Sequence, residues 1–383
     1  ASGSFRDVAR QSGASTNWGA VGGIAVLAVF MLMLIYTTIA GWTMDYFVRA
    51  ATGAFEGIDG ETSRATYDSL MSSPMRLVFW HTIVVIVTVY INSRGLHGGI
   101  EKAVNVLMPA LFVSLVLMVL YAFVVGDMGA AAKFLLTPDF SKVTGETFLM
   151  ALGQAFFSIG IAMAVMITYG SYLDKSTSIP ENAFIVVGAD TLVALLAGFA
   201  IFPLVFANAM DPTAGEGLVF QALPVAFGDL PAGSLFASVF FFLLIAAAVT
   251  SCIGNFAPVV AWTEETFGMS HSRAAFTAGF AMWLLGIGSA LSFNTLADFH
   301  PLAFIPGFEE RTIYDSIDFI MANTLLPLGA LLTAVFIGWF ATRDKVREEM
   351  GLPEGPAFTT WLVLIRFVIP VALAVVFVRG VTG

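Results

Sequence analysis

The residues best placed to do chemistry sit where plain apolar residues would be cheaper. The stretch Ala151 to Lys175 is long enough to cross a bilayer, yet its middle reads Ser158-Ile159-Gly160-Ile161-Ala162, small and polar. A membrane helix that breaks at its centre frees backbone carbonyls and amides, which are tolerated only where they line a cavity or bind something. Secondary transporters build ion and substrate sites this way. Asp190 lies inside another apolar run, where a carboxylate is expensive and reads as functional, although a shallower position or a helix–helix hydrogen bond would also account for it. Thr250 and Ser251 lie deep in a third run, beside Ala246-Ala247-Ala248. Their hydroxyls suit a hard cation that prefers oxygen ligands, or they bond back to their own helix, as membrane Ser and Thr commonly do. The residues alone favour the second account.

These candidates need spans to hold them. Of the 383 residues 58% are hydrophobic and 11% charged, and mean hydropathy is +0.87. Soluble domains carry roughly a quarter charged residues, so this is a polytopic membrane protein. Nine runs can cross about 30 Å of hydrocarbon: Val21–Phe47, Leu77–Asn92, Val104–Val125, Phe148–Tyr172, Ala183–Ala207, Leu235–Val260, Ala274–Phe293, Phe319–Phe340 and Trp361–Val378. The second is short and is expected to extend upstream through Met71. None alternates as a membrane β-barrel strand does, so the class is all-α. The chain reads as one transmembrane domain, 1–383, with no disordered linker. Loop 209–231 carries apolar residues at near-helical spacing, as either a short plug helix on the outer mouth or an interfacial amphipathic loop.

The lone cysteine, Cys252, excludes an intrachain disulfide. The formal charge of −10 argues against a nucleic-acid partner. His81, His97, His271 and His300 are scattered, and there is no H-E-x-x-H, nucleophile elbow or phosphate loop, so an enzyme is not expected. Basic residues divide nine to seven in favour of a cytoplasmic N-terminus, with the densest cluster at Arg343–Arg347.

Several segments, in order along the chain, are similar to the neurotransmitter:sodium symporter family, bacterial type. GWTMDYFVRAATGAFEG at 41–57 resembles the family's third helix and its exit, and GLHGGIEKAVNVLMP at 95–109 the loop and start of its fifth. The broken run at 151–173 resembles the sixth, DTLVALLAGFAIFP at 190–203 the seventh, and GEGLVFQALP the outer plug loop. AAAVTSCIGNFAPVVAWTEE at 246–265 resembles the eighth. The nine spans thus match helices 3–11 of an inverted-repeat, leucine-transporter-like fold. The family's first two helices, with their Gly-Asn-x-Trp-Arg-Phe-Pro signature, have no counterpart, so roughly 60 to 70 residues are expected to be missing from the N-terminal side.

The resemblance implies sodium-coupled symport of an amino acid or related small amine by alternating access in the inner (plasma) membrane. Its cofactor would be Na+, with no organic cofactor. Its partners would be a small-molecule substrate and membrane lipid, and it allows a homodimer. It assigns sodium ligands to Ser158 and Asp190 at one site, and to the Ala247 carbonyl with the Thr250 and Ser251 hydroxyls at the other. It assigns the substrate pocket to Leu32, Tyr36, Phe157, Ser158, Gly160, Met163, Ser251 and Asn255, with Tyr36 and Phe157 as an aromatic lid. Asp318 matches the acid of the outer gate, and Glu265 and Tyr172 match the inner gate. The basic partners of both acids are expected in the missing segment. Asp190 supplies a fixed negative charge where many members need chloride, and Ala194 one turn on ligates no anion, so transport is expected to be independent of chloride. The alternative is a non-transporting relic, or a subunit that takes the two helices from elsewhere.

Overall fold

The computed structural model describes residues 1–161, 163–174, 177–212 and 215–382. The N-terminal segment forms α1 (Ser2–Gln11), whose Phe5 and Ala9 are buried. A 33-residue helix α2 (Gly19–Ala51) follows, then α3 (Gly60–Met71), capped by the Asp59 carboxylate on the Thr62 amide, and α4 (Pro74–Ser93). The second span therefore does not extend through Met71. Pro74 has no N–H to donate backwards, and it holds Ser73 in an extended conformation, so Met71 ends a separate helix.

The chain continues with α5 (Glu101–Val125) and α6 (Met128–Leu136), then the pair α7 (Gly145–Ile159) and α8 (Ala164–Gly170), and α9 (Ile179–Ala207). Within the expected plug loop 209–231, whose Thr213 and Ala214 lie outside the described residues, Leu218–Ala222 forms a π-helical turn that runs into α10 (Leu223–Asp229). Then come α11 (Gly233–Phe267), α12 (His271–Leu291), α13 (Ile313–Phe319), α14 (Leu326–Val335), α15 (Arg343–Glu349), α16 (Pro356–Val363) and α17 (Ile369–Thr382). α13 and α14 belong to one span, Ile313–Phe340, and α16 and α17 to another, Pro356–Val381. Among the described residues eight helices are long and apolar enough to cross a membrane, and α7 with α8, bent by 43°, makes a ninth.

α2, α4, α11 and α12 each touch the other three and form the block against which the broken span rests. Small residues let them approach, as van der Waals packing in lipid requires. A β-carbon at Gly286 of α12 would come within 2.5 Å of the buried His81 ring of α4. The interior divides into two clusters. One gathers Trp42, Tyr46, Phe55, Phe220, Phe227, Phe240 and Phe241, so it stacks the ends of α2 and α11 under the plug segment. The other holds Leu32, Met33, Val84, Met163, Cys252, Phe256 and Met282 around mid-span.

Candidate functional site

The break in the fourth expected span forms at Gly160. α7 starts from a capping box between Thr144 and Thr147 and ends where Gly160 turns left-handed, φ 69° and ψ 32°. The amides of Gly160 and Ile161 fold back onto the Phe157 and Phe156 carbonyls at 3.2 and 3.1 Å, and Met163 is extended before α8 begins. Glycine adopts that conformation without the penalty a β-carbon brings. Ala162 and Lys175 lie outside the described residues.

Two residues before Gly160, the Ser158 hydroxyl faces both oxygens of Asp190 on α9, at 2.7 and 2.8 Å. Residues 32 positions apart thus form an oxygen-rich pair with one negative charge.

On α11, Thr250 donates to the Ala246 carbonyl at 2.8 Å and the Ala247 carbonyl at 3.0 Å. This is the back-bonding expected of a membrane threonine. It spends the hydroxyl proton and leaves the oxygen lone pairs of Thr250 and the second lone pair of each carbonyl able to accept a cation. Ser251 lies beside the Tyr36 phenol of α2. Leu32, Met163 and part-buried Tyr36 pack together with Ala248 and Cys252, and the Met163 sulfur is 3.9 Å from where a β-carbon on Gly160 would stand. Tyr36 is thus a neighbour of Ser251, and Met163 of Gly160, with Tyr36 and Met163 in the same buried cluster. Asn255 lies one turn beyond Ser251. Phe157 is different: it is 44% exposed, and among the described residues no ring contact joins it to Tyr36. The aromatic lid is not closed in this structure.

Of the residues expected at the gates, Glu265 has a partner within this chain. Arg6 of α1 reaches its carboxylate at 3.1 Å, so this chain itself offers the acid a basic partner. Tyr172 meets Tyr169 edge-on at 6.3 Å and is exposed. Asp318 on α13 lies near Arg311, Asp315 and Glu216. Burial, and then the Asp318 charge, hold the Glu216 carboxyl above its ordinary range, although its surface stays open to solvent. Burial and then Glu216 push the Tyr67 phenol of α3 up to about 12. This end of the bundle thus gathers Glu216 and Asp318 beside Tyr67 and Tyr314.

Three arrangements escaped the sequence reading. Asp45 on α2 is 4% exposed and accepts from Arg49 at 2.7 Å, Arg76 at 2.6 Å and the Trp80 indole at 2.9 Å. Its spacing of four from Arg49 was the available signal. His271 bridges the Glu264 carboxylate at 2.8 Å and the Asn92 carbonyl at 3.0 Å. Arg366 lies within the last span.

Residues 69–382 match the sodium:neurotransmitter symporter family. The chain belongs to that family. It is 35% identical over 376 residues to the uncharacterised sodium-dependent transporter YhdH of Bacillus subtilis, covering 97% of this chain and 82% of that protein. It is 33% identical over 374 residues to an uncharacterised sodium-dependent transporter of Haemophilus influenzae, covering 96% and 80%. Among solved structures it is similar to MhsT in complex with L-phenylalanine, with a TM-score of 0.85, 35% identity, and coverage of 95% of this chain and 81% of that one. The chain is thus a multi-pass sodium-coupled transporter of the inverted-repeat class, not an enzyme.

Proposed function

We propose that the protein moves an amino acid with a large apolar side chain into the cell together with Na+, by alternating access and without chloride. The observation that carries this reading is the Ser158 hydroxyl on the Asp190 carboxylate beside the break at Gly160. Two Na+ ions are assigned: one to Ser158 and Asp190, the other to the Ala247 carbonyl, Thr250 and Ser251. The fixed charge of Asp190 offsets the first ion, so no anion need accompany it. The amino and carboxylate ends of the substrate meet freed backbone and Tyr36. Its side chain runs toward Leu32, Gly160, Met163 and Asn255, where an absent β-carbon and a pliable thioether leave room. L-Phenylalanine bound to the related MhsT supports an aromatic or large aliphatic substrate.

Sodium and substrate stabilise each other's binding reciprocally. Phe157 then closes over Tyr36, segment 209–231 plugs the outer mouth above Asp318, and the inner pair Arg6–Glu265 with Tyr172 opens. The N-terminus lies in the cytoplasm and the protein in the inner membrane. The test is uptake of labelled L-phenylalanine into proteoliposomes of the purified transporter under an inward Na+ gradient, with chloride or with gluconate. Uptake is expected only with Na+ and at the same rate with either anion. Uptake without Na+ would exclude symport, and loss of uptake in gluconate would exclude the role given to Asp190.

A further inference from the structure

Arg366 is the eleventh of the 26 residues of the span Pro356–Val381. At about 1.5 Å per residue it lies roughly 15 Å from the Pro356 end. The span is longer than the roughly 30 Å of hydrocarbon it crosses, so the residue starts well inside the apolar layer. Charged groups at that depth pair, face a wet cavity or mark a binding path. Among the described residues Arg366 meets no carboxylate: its Nε donates to the Gly338 carbonyl, and its guanidinium lies 5.9 Å from the Trp339 ring centre. A guanidinium has five N–H groups, and among the described residues no protein acceptor stands at either terminal amino group of this one.

The surroundings are built for it. Both adjoining spans open a π-helical turn at this level, Phe336–Phe340 and Leu364–Val368, a feature frequent at functional sites. Gly338 is needed for the approach, since a β-carbon there would stand 3.0 Å from Arg366 Cγ. The Trp339 indole donates to the Arg366 carbonyl at 3.2 Å and is 55% exposed. Phe367 packs edge-on against it, also exposed. The Gly338 carbonyl it reaches lies close to the Phe340 end of its own span, so the guanidinium lies toward the Pro356 end. There Arg343 and Arg347 both pair with Glu354, at 3.4 and 3.1 Å, and Arg347 also meets Asp344 at 3.6 Å. Arg366 has no such pairing among the described residues.

We propose that Arg366, with Gly338 and Trp339, seats the phosphate of a membrane phospholipid in the cleft between the last two spans. The phosphate supplies the two acceptor oxygens that a guanidinium fork matches. Exposed Trp339, Phe367 and Val363 give the acyl chains an apolar surface. This is independent of the substrate reading above.

Native mass spectrometry of the delipidated transporter tests it. The probes are phosphatidylglycerol, a galactosyl diacylglycerol with the same acyl chains, and inorganic phosphate. Phosphatidylglycerol is expected to be retained at least tenfold better than the galactolipid, and Arg366→Leu to abolish that preference. Arg366→Lys, which keeps the charge and loses the fork, should fall between. Gly338→Ala leaves the arginine in the sequence but crowds it, and should lower retention several-fold; with Arg366→Lys it decides the matter if the leucine variant does not fold. Equal retention of both lipids, or unchanged retention in the variants, overturns the proposal. Inorganic phosphate displacing phosphatidylglycerol at equal concentration overturns the lipid assignment in favour of a soluble anion.

Discussion

Asp190 carries a carboxylate into the apolar run of α9, and among the described residues the Ser158 hydroxyl faces both its oxygens. A hydroxyl donor stabilises the charge, and a hydrogen bond to a charged group is worth about 1.5–3 kcal/mol. In the sodium site proposed above, that hydroxyl would turn its lone pairs to the ion and the carboxylate would supply charge as well as oxygen. Asp190→Asn keeps the shape and removes the charge, so the Na+ concentration for half-maximal uptake should rise at least tenfold, equivalent to about 1.4 kcal/mol. Ser158→Ala removes one neutral ligand, which water can replace, and should cost only a few-fold. Sodium titrations of uptake check the order; a serine variant as damaged as the asparagine variant would show that charge is not what Asp190 contributes. The two residue types were legible as candidates because each is costly in a span. Their pairing depends on how α7 lies against α9, which local sequence does not encode. Thr250 is the reverse case, since its bonds to Ala246 and Ala247 are local and follow from its position in a helix.

At the scale of elements, apolar length read the spans well because lipid leaves backbone groups no partner but their own helix. What length could not locate were the stops. Pro74 begins α4 where hydropathy runs on to Met71, and α1 is a helix only because Phe5 and Ala9 find Val21 and Phe336 to pack on. The break at Gly160 is where sequence and structure coincide most usefully. Its φ of 69° belongs to the left-handed region, and the nearest obstacle to a β-carbon is the Met163 sulfur at 3.9 Å. Gly160→Ala therefore meets no clash, and its cost is the backbone penalty of roughly 1–2 kcal/mol. Thermal unfolding in detergent should register it, and Gly160→Asn should lose less, because asparagine tolerates that region better. The alanine methyl also narrows the proposed pocket, so selectivity should move toward smaller amino acids. Equal destabilisation by alanine and asparagine would mean that the break is held by something other than the glycine conformation.

Across the whole molecule, α2, α4, α11 and α12 are interlocked, whereas the broken span meets them mainly through α8 on α2 and α11. A rigid block with a loosely attached span is what alternating access needs. On the side proposed above to face the cytoplasm, the Arg6–Glu265 pair ties α1 to the end of α11, with both side chains close to half exposed. A pair so exposed contributes about 0–1 kcal/mol to stability, so Arg6→Ala should barely change thermal unfolding. The same few tenths of a kcal/mol weigh more on an equilibrium between two folded states of similar energy. Thr168 of α8 is buried at 4% exposure, and Cys252, the one cysteine of the chain, is fully buried. A Thr168→Cys reporter should thus react with a cytoplasmic maleimide only when the inner side opens, over little background. If the pair acts as a latch, Arg6→Ala should speed that labelling two- to five-fold, and Glu265→Gln should do the same. The double variant should add nothing further, because both changes remove one interaction. Additive effects would mean that each residue acts through other contacts, and unchanged labelling would leave Arg6–Glu265 an ordinary solvated pair.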